Sequence, residues 1–217
     1  MGILDILLGK DNSIYELVRD KNGKHQIGGD KPTDFEIPKN EFISNFQYLG
    51  YIDNNDKLFS WLPFRVNLIC PIYLNIESVY LDYSNPNAPT IISPEDTGSV
   101  TTEYDDLNLN SVIVFEETKV NVELKTEIDE FNCIGVAGSP NWIQSDNTPR
   151  CPKSNKKMKF LCQLMSFGDV KSKFTNVKAR DDYYQSYFDK MNFWGDGNLY
   201  IFVEPTQRTI CCFIQNS

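Results

Sequence analysis

Two apolar runs near the C-terminus decide how the chain is read: Leu199-Tyr200-Ile201-Phe202-Val203 and Thr209-Ile210-Cys211-Cys212-Phe213-Ile214. Each is a short continuous apolar stretch, and Asp196-Gly197 ahead of the first reads as a tight turn between Trp194 and Leu199. A strand that is apolar on both faces belongs in the middle of a sheet, so Leu199–Val203 is expected to be central. The run from Val112 to Phe115 has the same character and the same expected place. Further out, Val120, Val122 and Leu124 alternate with Lys119, Asn121, Glu123 and Lys125. Period two makes this a half-buried strand with a charged outer face, as antiparallel sheets have. Val66, Leu68, Cys70, Ile72, Leu74 and Ile76 also alternate with their neighbours, and Pro71, lacking an N–H, marks an edge or a break.

Helices are few. Tyr183, Tyr184, Tyr187, Phe188 and Met191 form one helical stripe, preceded by Asp181 and Asp182, which suit a helix N-terminus. Residues 11–27 carry two competing signals. Ser13-Ile14-Tyr15-Glu16 fits a capping box, whereas Asn22-Gly23 between Ile14–Arg19 and His25–Ile27 is a hairpin signal. Periodicity does not choose between them. Residues 84–110 hold Pro86, Pro89, Pro94 and Gly98 and read as a long irregular connection. The resulting fold class is α+β, mainly antiparallel β. It is one domain over residues 1–217, with two similar sheet-based halves, 1–84 and 111–217, joined by an irregular connector at 85–110.

Composition excludes several classes. Of 217 residues, 41% are hydrophobic, 13% aromatic and 24% charged, so the chain is neither disordered, collagenous nor a coiled coil. No stretch approaches the roughly 20 apolar residues of a spanning helix, so no membrane partner is expected. Thirty acidic residues against 21 basic ones give a net charge of −9, which argues against nucleic-acid binding. The N-terminal Met1–Lys10 lacks the basic start of a signal peptide, and Ile6 stands where a myristoylation signal has Ser or Thr. A cytoplasmic location follows as the expectation. The six cysteines, mostly inside apolar runs, are expected to be buried free thiols.

Catalytic chemistry has little to work with. His25 is the one histidine, and between Lys24 and Gln26 it reads as a strand or surface residue. Gly28-Gly29-Asp30-Lys31-Pro32 lacks phosphate-loop spacing. Adjacent acids Asp105-Asp106, Glu116-Glu117, Asp129-Glu130 and Asp181-Asp182 point to different faces of any regular element and read as surface charge. Lys157 and Lys159, in the one basic cluster, read as a solvated strand face.

The most specific stretch runs Gly138-Ser139-Pro140-Asn141-Trp142-Ile143-Gln144, then Cys151-Pro152-Lys153-Ser154-Asn155, then Met158-Lys159-Phe160-Leu161-Cys162-Gln163-Leu164, and finally Trp194-Gly195-Asp196-Gly197-Asn198-Leu199-Tyr200-Ile201-Phe202. This order resembles the YwqG-like family of uncharacterised bacterial proteins over about Gly135–Val203. Ile27-Gly28-Gly29, Phe46–Ile52 and Phe59–Phe64 match more loosely. The resemblance implies a duplicated sheet-based fold, and Phe46–Ile52 lines up with Met158–Leu164. Ile27-Gly28-Gly29 lines up with Ile134-Gly135. Where relatives carry a C-P-x-C-G knuckle, this chain has Ser154 and Asn155; one thiolate at Cys151 cannot grip a zinc edge, so neither metal nor cofactor is expected.

Some members of the resembled family are implied to be immunity proteins. The leading expectation is therefore a non-enzymatic protein-binding role, the neutralisation of a basic partner toxin. The alternatives are a small-molecule or peptide binder in a groove between the halves, or a carboxylate- or metal-dependent enzyme. The residues expected to form a binding site are Asn141, Trp142, Gln144, Gln163, Trp194 and Asp196.

Overall fold

A computed structural model describes residues 13–39, 45–72, 78–93, 107–129 and 133–217. The readings of Met1–Lys10, of Asp105-Asp106 and of the connector over 94–106 lie outside the described residues. The strands in chain order are β1 (Ile14–Arg19), β2 (His25–Ile27), β3 (Phe46–Ile52), β4 (Val66–Pro71), β5 (Val79–Asp82), β6 (Thr90–Ile91), β7 (Ile113–Phe115), β8 (Thr118–Lys125), β9 (Gly135–Ala137), β10 (Lys159–Met165), β11 (Ser172–Thr175), β12 (Asn198–Glu204) and β13 (Thr209–Gln215). Eleven of them form one antiparallel sheet in the order β4-β3-β2-β8-β1-β9-β10-β12-β13-β5-β6, and β7 pairs with β11 in a second, small sheet. The chain is mainly antiparallel β.

The strand order corrects the hairpin reading of residues 11–27. Both β1 and β2 are strands, but β8 lies between them, and Val120 pairs with Arg19 on one side and His25 on the other. The chain turns through Asp20–Gly23 (Gly23 N–H to the Asp20 carbonyl, 2.8 Å) and passes directly over the β8 backbone. A Cβ on Gly23 would stand 2.4 Å from the Val120 carbonyl oxygen. The glycine is there because the crossing leaves no room for a side chain, not because a hairpin needs its conformation.

The expected helix at 181–191 is a single turn, α1 (Asp182–Gln185), capped by the Asp181 carboxylate accepting from the Tyr184 N–H at 2.9 Å. Phe188 and Met191 are buried, but Tyr183 is 65% exposed, so the stripe does not face a core along its length. A second correction concerns Val112–Phe115: β7 is not central but pairs only with β11. Its apolar character comes from Ile113 and Phe115, both buried in the main core.

The remaining strands follow their patterns. β8 buries Val120 and leaves Leu124 63% exposed. β4, carrying Pro71 as its last residue, ends the strand order. β12 is central and buried on both faces: Leu199, Ile201 and Val203 enter the main core, while Tyr200 and Phe202 join a second cluster with Cys151, Met158, Phe160, Cys211 and Phe213. The tyrosine hydroxyl of Tyr83, just after β5, donates to the Asn67 carbonyl on β4 at 2.7 Å, joining the two ends of the strand order. The turn before β12 is centred on Trp194 and Gly195 (φ 62° and 78°) rather than on Asp196-Gly197. The Asn192 amide closes it by bonding both the N–H and the carbonyl of Gly195.

All six cysteines are buried and none forms a disulfide. Cys151 opens a turn in which Asn155 N–H meets the Cys151 carbonyl at 2.7 Å and Asn155 takes φ 56°. Asparagine tolerates that left-handed conformation.

Candidate functional site

The segment after β9 lies against the face of β10, β12 and β13 that carries the second aromatic cluster. It is held by side chains that bond its backbone. Gln163, fully buried on β10, accepts from the Asn141 N–H and donates to the Asn141 carbonyl, both at 3.0 Å. The Tyr200 hydroxyl donates to the same carbonyl at 2.7 Å and accepts from the Ile143 N–H at 3.0 Å. Trp142, clamped between those bonds, stacks on the Tyr200 ring at 4.9 Å and 15°, with Phe202 and Phe213 behind it. A tryptophan fixed at backbone on both sides and stacked on one face offers its free edge as a rigid wall.

That wall borders a groove of about 660 Å³. The lining also takes in the start of β1 (Tyr15) and Leu58 and Trp61, which lie in and just after a 3-10 turn at Lys57–Phe59. Its floor is Lys159, Phe160 and Leu161 at the start of β10. The groove therefore draws on separated stretches of the chain, within 13–15, 58–61 and 138–161. The Lys159 ammonium sits 4.1 Å above the Trp61 ring centre. Lys159 is exposed at the start of its strand, and the partial loss of water beside these walls lowers its pKa from the ordinary lysine value. The indole face is a favourable contact for it, and among the described residues Lys159 makes no ion pair. Asp146 also lines the groove, and its Oδ1 accepts from the Thr148 N–H and hydroxyl at 2.8 and 2.6 Å.

Of the residues expected from sequence, Trp142 lines this groove, and Asn141 and Gln163 hold Trp142 in place. Asn141, Trp142 and Asp196 come together around a separate cavity of about 360 Å³, where Asp196 accepts from the Ser217 hydroxyl. Gln144 is tied to the C-terminal segment, its amide donating to the Asn216 carbonyl at 2.8 Å. Trp194 packs against the main core and lines neither space. Tyr15, Trp61 and Lys159 were not anticipated. Lys159 is exposed on its strand, as its reading on a solvated strand face has it; the sequence does not show that Trp61, far away along the chain, lies beneath its ammonium.

The groups that would favour catalysis are placed elsewhere. His25 is buried on β2, not at the surface; its Nδ1 accepts from the Asp53 N–H at 3.0 Å and its ring meets Phe59 edge-on at 5.0 Å. Burial, outweighing the nearby Asp56 and Asp53 carboxylates, lowers its pKa. Glu116, Glu117, Asp129, Asp181 and Asp182 are exposed. Among the described residues no group of three His, Cys, Asp or Glu side chains could hold a metal ion, and no helix there is long and apolar enough to cross a membrane. Cys151 departs from the other thiols. Burial raises its pKa, but bonds from the Ser154 and Thr209 hydroxyls and the Lys153 and Ser154 N–H groups outweigh burial and lower it. Cys70 and Cys211, by contrast, are pushed up to about 12.

No protein-family model matches this chain, and no curated protein or solved structure is detectably similar to it.

Proposed function

We propose that the chain is a non-enzymatic binding protein and that the Lys159 groove holds an organic anion: one carboxylate on an aromatic or aliphatic body. The observation that carries this is Lys159 itself, an exposed cation that rests on Trp61 at the groove and makes no ion pair among the described residues. A ligand carboxylate supplies that partner, and a charge-assisted hydrogen bond is stronger where water is thinned by Trp61, Trp142 and Phe160. A single cation suits a monoanion, while Asp146 at the lining and a net charge of −9 disfavour polyanions.

The test is a titration with 3-phenylpropionate and, in parallel, its amide, followed by backbone amide NMR. The acid is expected to perturb residues around Lys159 and Trp61 and to bind about tenfold more tightly than the amide, the value of a charged hydrogen bond. Lys159→Met should abolish the preference. Equal binding of acid and amide, or perturbations elsewhere, refutes the reading.

A protein partner is the second reading, in the manner of an immunity-like capture of a basic toxin, as the resemblance of Gly135–Val203 to the YwqG-like family implies. The exposed Tyr183, in ring contact with Tyr184 and Tyr187, is the specific feature that favours it, since clustered tyrosines are common at interfaces. Substituting Tyr183 by Ala should weaken such capture and leave binding of 3-phenylpropionate unchanged.

A further inference from the structure

The strand order is symmetric about the β8–β1 pair: β2, β3 and β4 lie on one side where β9, β10 and β12 lie on the other. The registers match in detail. Ile27 of β2 stands opposite Gly50 of β3, and Ala137 of β9 stands opposite Cys162 of β10. The register of β3 against β4 shifts between Tyr48 and Gly50, and that of β10 against β12 shifts between Phe160 and Cys162, so bulges fall at Leu49 and Leu161. The residues that follow β2 and β9 are Gly28 and Gly138, both with positive φ (69° and 81°), each passing close over a carbonyl just before β8 or β1. Counting back from Gly50 and Cys162, Gln47 occupies the place of Lys159.

A second groove of about 610 Å³ lies at that matching place. Val112–Val114, from the small second sheet, stand in the lining where Ser13–Tyr15 stand in the first groove, the residues after Gly28 where those after Gly138 do, and Phe46–Tyr48 where Lys159–Leu161 do. Its character differs. The lining is mainly apolar, with Ile37, Phe46, Val112 and Ile113 among it. Lys31 at its border spends its ammonium on the Phe35 carbonyl at 2.7 Å. Gln47 is 5% exposed, its Nε2 reaches the Cys70 sulfur at 3.6 Å, and its Oε1 is buried with no hydrogen-bond partner among the described residues. A buried carbonyl-type oxygen left without a donor is costly, and few groups in a native structure remain so.

We propose that this second groove binds an uncharged apolar molecule that donates one N–H or O–H hydrogen bond to Gln47 Oε1, the buried amide turning towards the groove to meet it. The site is distinct from the Lys159 groove in place and in chemistry. Lys31 and Lys39 also line the groove, but a carboxylate has no proton to give Gln47 Oε1, whereas a donor on a flat apolar body satisfies the orphaned oxygen and fills the space.

The experiment compares indole with benzothiophene, which has nearly the same shape and no N–H, against the whole chain by backbone amide NMR. Indole is expected to perturb Phe46–Tyr48 and Val112–Val114 and to bind five- to tenfold more tightly than benzothiophene, about the worth of one neutral hydrogen bond. Gln47→Leu is expected to erase the preference while benzothiophene still binds. Val112→Trp, at a half-exposed position on the rim, is expected to block both compounds without touching the core, which covers the case of a poorly folded Gln47 variant. Equal affinity for the two compounds, perturbations confined to residues outside the groove, or no saturable binding of either refutes the proposal. Because neither compound is an anion, the outcome is independent of the 3-phenylpropionate result.

Discussion

The two grooves are made from corresponding pieces of one sheet, yet one ends on a cation and the other on an amide. At Lys159 the matching strand begins outside the core, and the long side chain reaches its ammonium over Trp61. At Gln47 the strand is buried on both faces, and a cation there would have no water and no acid. The backbone frame sets where a groove forms. The depth of one strand end sets what charge the groove can carry.

The largest effects should come from the frame. A Cβ on Gly28 would stand 2.2 Å from the Glu116 carbonyl oxygen, and one on Gly138 would stand 2.4 Å from that of Ser13. With the left-handed φ at both, Gly28→Ala and Gly138→Ala should each cost about 3 kcal/mol in urea denaturation. A near-wild-type midpoint for either variant would break the correspondence at that point.

Next comes the exchange of polar ends. Gln47→Lys places an unpaired ammonium in the buried position and should lose about 2–3 kcal/mol by thermal or urea unfolding. The reverse change, Lys159→Gln, removes an exposed charge and should stay within about 0.5 kcal/mol. Similar losses for both would show that the two strand ends are equally deep.

At neutral pH the last effect vanishes and it shows only on acidification: a pH dependence that should belong to one side only. His25 on β2 has Gly135 as its counterpart on β9. Because the folded pKa of His25 is lowered, the unfolded chain binds the proton more readily below pH about 6.5, so stability is complete above that value and falls as the solution is acidified. The slope between pH 6.5 and 5 should approach about 1.4 kcal/mol per unit at most. In His25→Gln, whose amide oxygen can still accept from Asp53, the slope should flatten. An unchanged slope would assign it to other groups.

Much of the sheet was legible residue by residue. Alternation marked β8, continuous apolar runs marked β12 and β13, and Pro71 marked an edge. Val112–Phe115 misled because burial by a second sheet looks, in one dimension, like burial in the centre of the first. The tyrosine stripe misled because spacing shows which residues share a face and not whether anything covers it. Within the site, Trp142 was legible from its turn and its aromatic character. Trp61 and Lys159 were not, since a cation on a ring is a contact between distant parts of the chain.

By itself, then, the sequence determined an antiparallel β protein with buried thiols, a small helical share and a Gly-Ser-Pro-Asn-Trp segment of special geometry. Those are local matters of side-chain period, volume and backbone freedom. Only the tertiary structure decided that β8 divides β1 from β2, that Gly23 is spared a side chain for that crossing, and that Lys159 and Gln47 face different surroundings at corresponding places. Strand order and desolvation depend on what lies across the sheet, and neighbours along the chain do not encode it.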